Sequence, residues 1–123
     1  AIGEILLKMN LKSIENTDVS TTQKILIYCS QNYKNDINIK TVSENLFVSR
    51  NHITRIFASK LGCSFRDYIN LLRINEAKQY LKNTDLRIIE IMYECGFKNQ
   101  SSFNRIFCDI CGMTPTECRK KGL

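Results

Sequence analysis

The sequence predicts an all-α fold of about seven helices, built as two helix-turn-helix subdomains joined by a long helix. Three observations predict it. Apolar residues recur at helical spacing along nearly all of the 123 residues, and no convincing period-two run interrupts them. A short helix, a tight turn and a longer helix occur twice, at an offset of 49 to 50 residues. Capping and stopping residues fall at the ends of the expected helices.

The elements follow in order. Ile2, Ile5, Leu6 and Met9 mark a short amphipathic helix in residues 1–11, and residues 12–19 form a polar linker. Ser20 with Gln23 three residues on fits a capping box. Ile25, Leu26, Cys29 and Tyr33 then form one apolar stripe, so this helix runs to about Tyr33, ahead of a polar turn. Asn38 caps a short helix with Ile39, Val42 and Leu46 inward. After the tight connection Phe47-Val48, Ser49 caps a second helix that turns Ile53, Ile56, Phe57 and Leu61 inward and stops at Gly62. Ser64 starts a long helix ending near Asn83, with Phe65, Tyr68, Ile69, Leu72, Ala77, Tyr80 and Leu81 as its buried positions.

The pattern then repeats. Ile88, Ile91 and Cys95 echo Ile39, Val42 and Leu46, while Phe103, Ile106, Phe107 and Gly112 echo Ile53, Ile56, Phe57 and Gly62 one residue later in register. Thr114-Pro115-Thr116-Glu117 supplies a cap, a proline at the first helical position and a glutamate at the third, a strong start for a last short helix. The expected divisions are an amphipathic segment and linker (1–19), a first subdomain (20–63), a connecting helix (64–83) and a second subdomain (84–123).

Charge narrows the partners. The chain carries 18 Lys and Arg against 12 Asp and Glu, a net charge of +6. Acidic and basic groups balance in residues 1–36, so the whole excess lies beyond them, and no acidic residue separates Glu44 from Asp67. A one-sided basic balance suggests a polyanionic partner. No apolar run approaches the roughly 18 residues that a membrane span needs. The chain begins Ala1-Ile2-Gly3-Glu4, with no Met and no secretory signal pattern, and reads as a fragment of a longer protein. The six cysteines are irregularly spaced and are expected to be reduced thiols in a cytoplasmic protein.

Each of the two longer helices has a face opposite its apolar one that suits a DNA major groove: rich in donors and acceptors, with no carboxylate to meet phosphate. On the first it presents Arg50, Asn51, Thr54 and Arg55; on the second, Gln100, Ser101, Asn104 and Arg105. Arg can read guanine through two hydrogen bonds, and Asn and Gln can read adenine. A solvated face on an ordinary helical bundle is the plainer alternative. Two copies with matched arginines, both in the basic part of the chain, weigh against it.

The stretch Val48-Ser49-Arg50-Asn51-His52-Ile53-Thr54-Arg55-Ile56-Phe57, followed by Gly62-Cys63-Ser64-Phe65-Arg66-Asp67-Tyr68-Ile69 and Leu72-Arg73-Ile74, resembles the AraC/XylS family of bacterial transcription regulators. The second half resembles it more closely, from Ile91-Met92-Tyr93-Glu94-Cys95-Gly96-Phe97 through Lys98-Asn99-Gln100-Ser101-Ser102-Phe103-Asn104-Arg105-Ile106-Phe107 to Gly112-Met113-Thr114-Pro115-Thr116-Glu117. The resemblance covers about 100 residues. It implies a seven-helix DNA-binding unit whose base-reading positions fall on Asn51, Thr54, Arg55, Gln100, Ser101, Asn104 and Arg105, with Arg50 and Ser102 at phosphate or rim positions. A joining helix over residues 65–82 would span roughly 27 Å at 1.5 Å per residue, which suits adjacent major-groove segments about 34–36 Å apart. The chain departs from the family pattern at four places. Phe47 stands where Gly is usual, Met92 where a small residue is usual, Cys118 where an aromatic is usual, and Arg87 where a Ser or Thr cap is common.

The partners expected are double-stranded DNA and RNA polymerase, without membrane. The fragment is expected to be monomeric, with dimerisation of a longer parent left to a domain outside it. No enzyme is expected, and no cofactor or metal. Cys108-x-x-Cys111 has no second pair to complete a zinc site, and the sole histidine, His52, suits packing or a phosphate contact better than catalysis. Arg73 is expected in a structural ion pair rather than as a DNA contact, Lys98 either on phosphate or solvated, and Arg119-Lys120-Lys121 either on phosphate or as a solubilising tail. The rival class is a helical module that binds an acidic protein surface.

Overall fold

The computed structural model of the chain describes residues 17–122. Seven α-helices occur there and no strand: α1 (Thr17–Asn32), α2 (Ile39–Leu46), α3 (Arg50–Ile56), α4 (Phe65–Asn83), α5 (Ile88–Glu94), α6 (Gln100–Cys111) and α7 (Pro115–Lys121). The amphipathic helix expected over Ile2, Ile5, Leu6 and Met9 lies outside the described residues. Two compact units divide the chain. One holds Ile37–Phe65 with the preceding α1, and the other holds Tyr33–Asp36 with the chain from Arg66 onward.

In the first unit the α1 expectation needs correcting. The helix includes Thr17, so Ser20 sits inside it rather than at its start. Thr22, Ile25, Leu26 and Cys29 are all buried and pin the helix. Once a turn is pinned, each residue added at its end gains a hydrogen bond for one residue ordered, so weak local propensity does not stop it. The Asn38 cap of α2 is present, its Oδ1 accepting from the Thr41 N–H at 2.9 Å. Val42, Ile53, Ile56, Phe57 and Phe65 are buried, and Phe57 meets Phe65 edge-on at 5.5 Å between ring centres.

The tight connection after α2 is closed by Phe47 in a left-handed conformation, φ 56° and ψ 42°. It is the one non-glycine residue with positive φ among those described. Its side chain is 94% exposed, so no packing of the ring offsets the roughly 1 kcal/mol that this backbone costs an L-residue. What holds it are bonds from the Phe47 and Val48 N–H groups, both to the Ser43 carbonyl.

α3 also differs from expectation. It is α-helical only to Ile56, and Phe57–Leu61 continues as a π-helical turn ending at Gly62, φ 68°. The second copy, α6, stays α-helical from Gln100 to its stop at Gly112, φ 74°.

The second unit is organised around a core of Ile74, Ala77, Leu81, Ile91, Met92, Cys95, Phe97, Phe103, Phe107 and Cys118. Burying each large apolar side chain here contributes about 2 kcal/mol. Ile74 is fully buried, although the stripe expected for α4 omits it, and Leu72 and Tyr80 are only partly buried. Met92 and Cys118, two of the family departures, are both core residues. α7 starts as its sequence dictates: the Thr114 hydroxyl accepts from the Glu117 N–H at 3.1 Å, and the Glu117 carboxylate accepts from the Thr114 N–H at 3.1 Å. At α5, the Arg87 side chain has no acceptor to offer the helix, and half a capping box replaces the missing side-chain cap. Glu90 Oε1 accepts from the Arg87 N–H at 3.1 Å and from its Nε at 2.9 Å.

Candidate nucleic-acid interface

Each candidate reading helix is opened by a side-chain cap. The Ser49 hydroxyl accepts from the His52 N–H at 3.1 Å, and Asn99 Oδ1 accepts from the Ser102 N–H at 2.9 Å. Neither α3 nor α6 has an acidic residue in its first turn. The positive ends of their dipoles therefore meet no carboxylate from their own first turns.

The inward faces seat the helices. Ile53 and Ile56 anchor α3, and Phe103 and Phe107 anchor α6. Phe97 and Phe103 lie 5.1 Å apart, and Phe103 and Phe107 5.9 Å apart, a ladder that stiffens the approach to α6. On the outward face of α3, Arg50, Asn51, Thr54 and Arg55 are all exposed. On α6, Gln100, Ser101 and Arg105 are exposed, whereas Ser102 and Asn104 are half-buried. The two sets share the spacing i, i+1, i+4, i+5, which puts each on one helical face. Beyond Arg55 the two copies diverge, because the π-turn begins and Ser59 Oγ donates to the Arg55 carbonyl at 2.6 Å.

Three basic residues have roles that the sequence did not reveal. Arg73 is not on a carboxylate: its Nε donates to the Tyr33 carbonyl at 2.6 Å and its Nη2 to the Asn35 carbonyl at 2.9 Å. Lys98 pairs with Asp36 at 2.6 Å, and this neighbour holds the Asp36 carboxyl below the usual carboxylate range. Arg119 is not part of a loose tail. Its guanidinium donates to the carbonyls of Leu81 (3.2 Å), Leu86 (2.7 Å) and Thr84 (3.1 Å), closing the end of α4 and the loop after it. The available signal was the partly buried position of both arginines beside apolar neighbours. Their partners are backbone carbonyls, which spacing rules do not identify.

The cysteines are all free thiols. Burial pushes Cys29 and Cys95 up to about 12, which keeps them neutral. No group of three or more His, Cys, Asp or Glu suited to a metal ion comes together among the described residues. No described helix is long and apolar enough to cross a membrane.

A family model described as a helix-turn-helix domain matches residues 42–121. The melibiose operon regulatory protein of Escherichia coli is 30% identical over 97 residues, covering 79% of this chain and 32% of the relative. A transcriptional regulator with an AraC-type DNA-binding domain from Chromobacterium violaceum superposes with a TM-score of 0.78 at 25% identity, covering 84% of this chain and 92% of that one. The DNA-binding domain of AdpA, solved in complex with a target DNA, shares the fold with a TM-score of 0.73 at 20% identity, covering 79% of this chain and 87% of that one. These findings define a DNA-binding domain of the transcription-regulator class. The chain belongs to the AraC-type helix-turn-helix family. It spans between 14% and 33% of the length of the first curated relatives that it matches.

Proposed function

We propose that the chain reads double-stranded DNA in a sequence-specific way, as the DNA-binding part of a bacterial transcription regulator, with α3 and α6 entering adjacent major-groove segments. The observation that carries this reading is the pair of capped, carboxylate-free first turns whose outward residues repeat at one spacing. Asn51, Thr54 and Arg55 read one half of the site. Gln100, Ser101, Asn104 and Arg105 read the other. Arg50 and Ser102 meet phosphate at the rims. Phosphate contacts set affinity and register, and base-edge contacts set sequence choice.

The two faces carry different side chains, so the site is not a palindrome, and one chain occupies it as a monomer. The protein performs no catalysis and acts in the cytoplasm. RNA polymerase is its second partner, and dimerisation of a longer parent is left to a domain outside this chain. Selection of bound sequences from a random duplex pool tests the reading. The expected product is an asymmetric site bound by one chain, with affinity falling steeply as salt rises. A perfect palindrome bound only by two copies would overturn the monomeric reading. Failure to enrich any sequence would overturn specific binding.

A further inference from the structure

Arg73 lies on α4, outside both proposed reading faces, yet it gathers the turn that leads into α6. Its two donors hold the Tyr33 and Asn35 carbonyls, and its guanidinium sits 5.6 Å from the centre of the Phe97 ring. Phe97 is buried in that turn and packs on Phe103, the inward anchor of α6. The segment Tyr33–Asp36, distant in sequence, is thereby strapped onto the second unit. Four further contacts hold it there. Lys98 pairs with Asp36 at 2.6 Å. Tyr33 Oη donates to Glu76 Oε2 at 3.1 Å, and Lys34 Nζ pairs with Glu76 Oε1 at 3.3 Å. Gly96, φ 99°, lies so close that a Cβ there would come within 2.8 Å of the Lys34 carbonyl oxygen.

This clustering exceeds what fastening a surface turn requires. An exposed pair such as Lys98 with Asp36 contributes little by itself. The arginine does more, because its guanidinium donates to two carbonyls while it lies over an aromatic ring. A lysine offers a compact ammonium in place of a rigid planar fork, so it cannot hold the same two carbonyls from one fixed group above the ring. The ring it covers is the contact through which the turn meets α6. Base reading through two hydrogen bonds tolerates little displacement of the helix that presents them.

We infer that Arg73 is a positioning residue for α6, acting through the strap Tyr33–Asp36 and the Phe97 ring, and that it sets base discrimination in the α6 half of the DNA site. This inference rests on the proposed reading of DNA by α6. The consequence is selective: loosening the clamp changes preference in the α6 half and leaves the α3 half as it was.

The experiment uses the duplex selected by the wild-type chain and a series of duplexes with single base-pair changes across both halves. Affinities are measured for wild type, Arg73→Lys, Phe97→Leu and Arg105→Ala, with melting followed in parallel. Arg73→Lys keeps the charge and the aliphatic stem. Phe97→Leu keeps an apolar side chain but removes the ring face, and so serves independently if the first variant folds poorly. Each is expected to lower discrimination in the α6 half by about 3–10-fold and to leave the α3 half within about two-fold. Equal losses in both halves would overturn the inference, because general loosening is not positioning. So would unchanged discrimination in both variants while Arg105→Ala still loses it in the α6 half. If Arg105→Ala itself loses nothing there, the reading by α6 has failed, a result distinguishable from the failure of Arg73 alone.

Discussion

At the scale of single residues, two arginines and one phenylalanine are the most informative. Arg55 and Arg105 are exposed on matched helical positions, each followed by an inward apolar residue that fixes the helix beneath it. Arg→Ala at either is expected to cost roughly 1–3 kcal/mol of specific binding and to relax preference in one half of the site only. The measurement is the ratio of affinities for the selected and a scrambled duplex at several salt concentrations. Unchanged ratios in both variants would show that these helices do not read bases. Phe47 carries a left-handed backbone with an exposed ring, so Phe47→Gly is expected to raise stability by about 1 kcal/mol in chemical denaturation. A loss of stability would mean that the ring makes an interaction its exposure does not suggest. Lysine at Arg73 or Arg119 would keep the charge yet lose part of a set of carbonyl bonds, which is why neither arginine is a generic surface cation.

Among the elements, the caps decide where the reading helices begin. Ser49 and Asn99 each satisfy an N–H that would otherwise go unpaired inside the helix start. Ser49→Ala and Asn99→Ala are each expected to cost about 1 kcal/mol of stability. Binding should weaken too, because frayed first turns present Arg50 and Asn51, or Gln100 and Ser101, less often in reading geometry. Calorimetric melting and duplex affinity check the two effects separately, and a cap variant that melts and binds as wild type would refute the link. The starts of α2, α3 and α7 were legible because a cap acts within three residues of itself. The start of α1 was not. Burial of Thr22 and Ile25 extends that helix back through Ser20, and burial is a long-range property. The π-turn at Phe57–Leu61 was also hidden, since its apolar spacing resembles that of an ordinary helix.

For the whole molecule, ionisation gives a prediction that does not depend on DNA. Cys29 and Cys95 are held neutral up to about 12 in the fold, while a thiol in the unfolded chain ionises near 9. Their raised values leave stability intact below about pH 9 and remove it as pH rises toward 12, because the unfolded chain releases those protons first. Melting temperature is therefore expected to fall through that window, and Cys29→Ala or Cys95→Ala to flatten the fall. An equally steep fall in the double variant would place the cause elsewhere. Chelator treatment is expected to leave melting and DNA binding unchanged, and stoichiometric zinc whose removal melts the protein would refute that. The sequence by itself determined the all-α class, the duplication, most caps and stops, and the outward polar faces, because each follows from spacing within a few turns of helix. Tertiary structure alone decided what Arg73, Lys98 and Arg119 hold and how far α1 extends. It also decided that Tyr33–Asp36 groups with the second unit. Those outcomes depend on carbonyls, carboxylates and buried neighbours that lie close in space but are separated along the chain by 33 to 62 residues in the bonds concerned, beyond the reach of any local pattern.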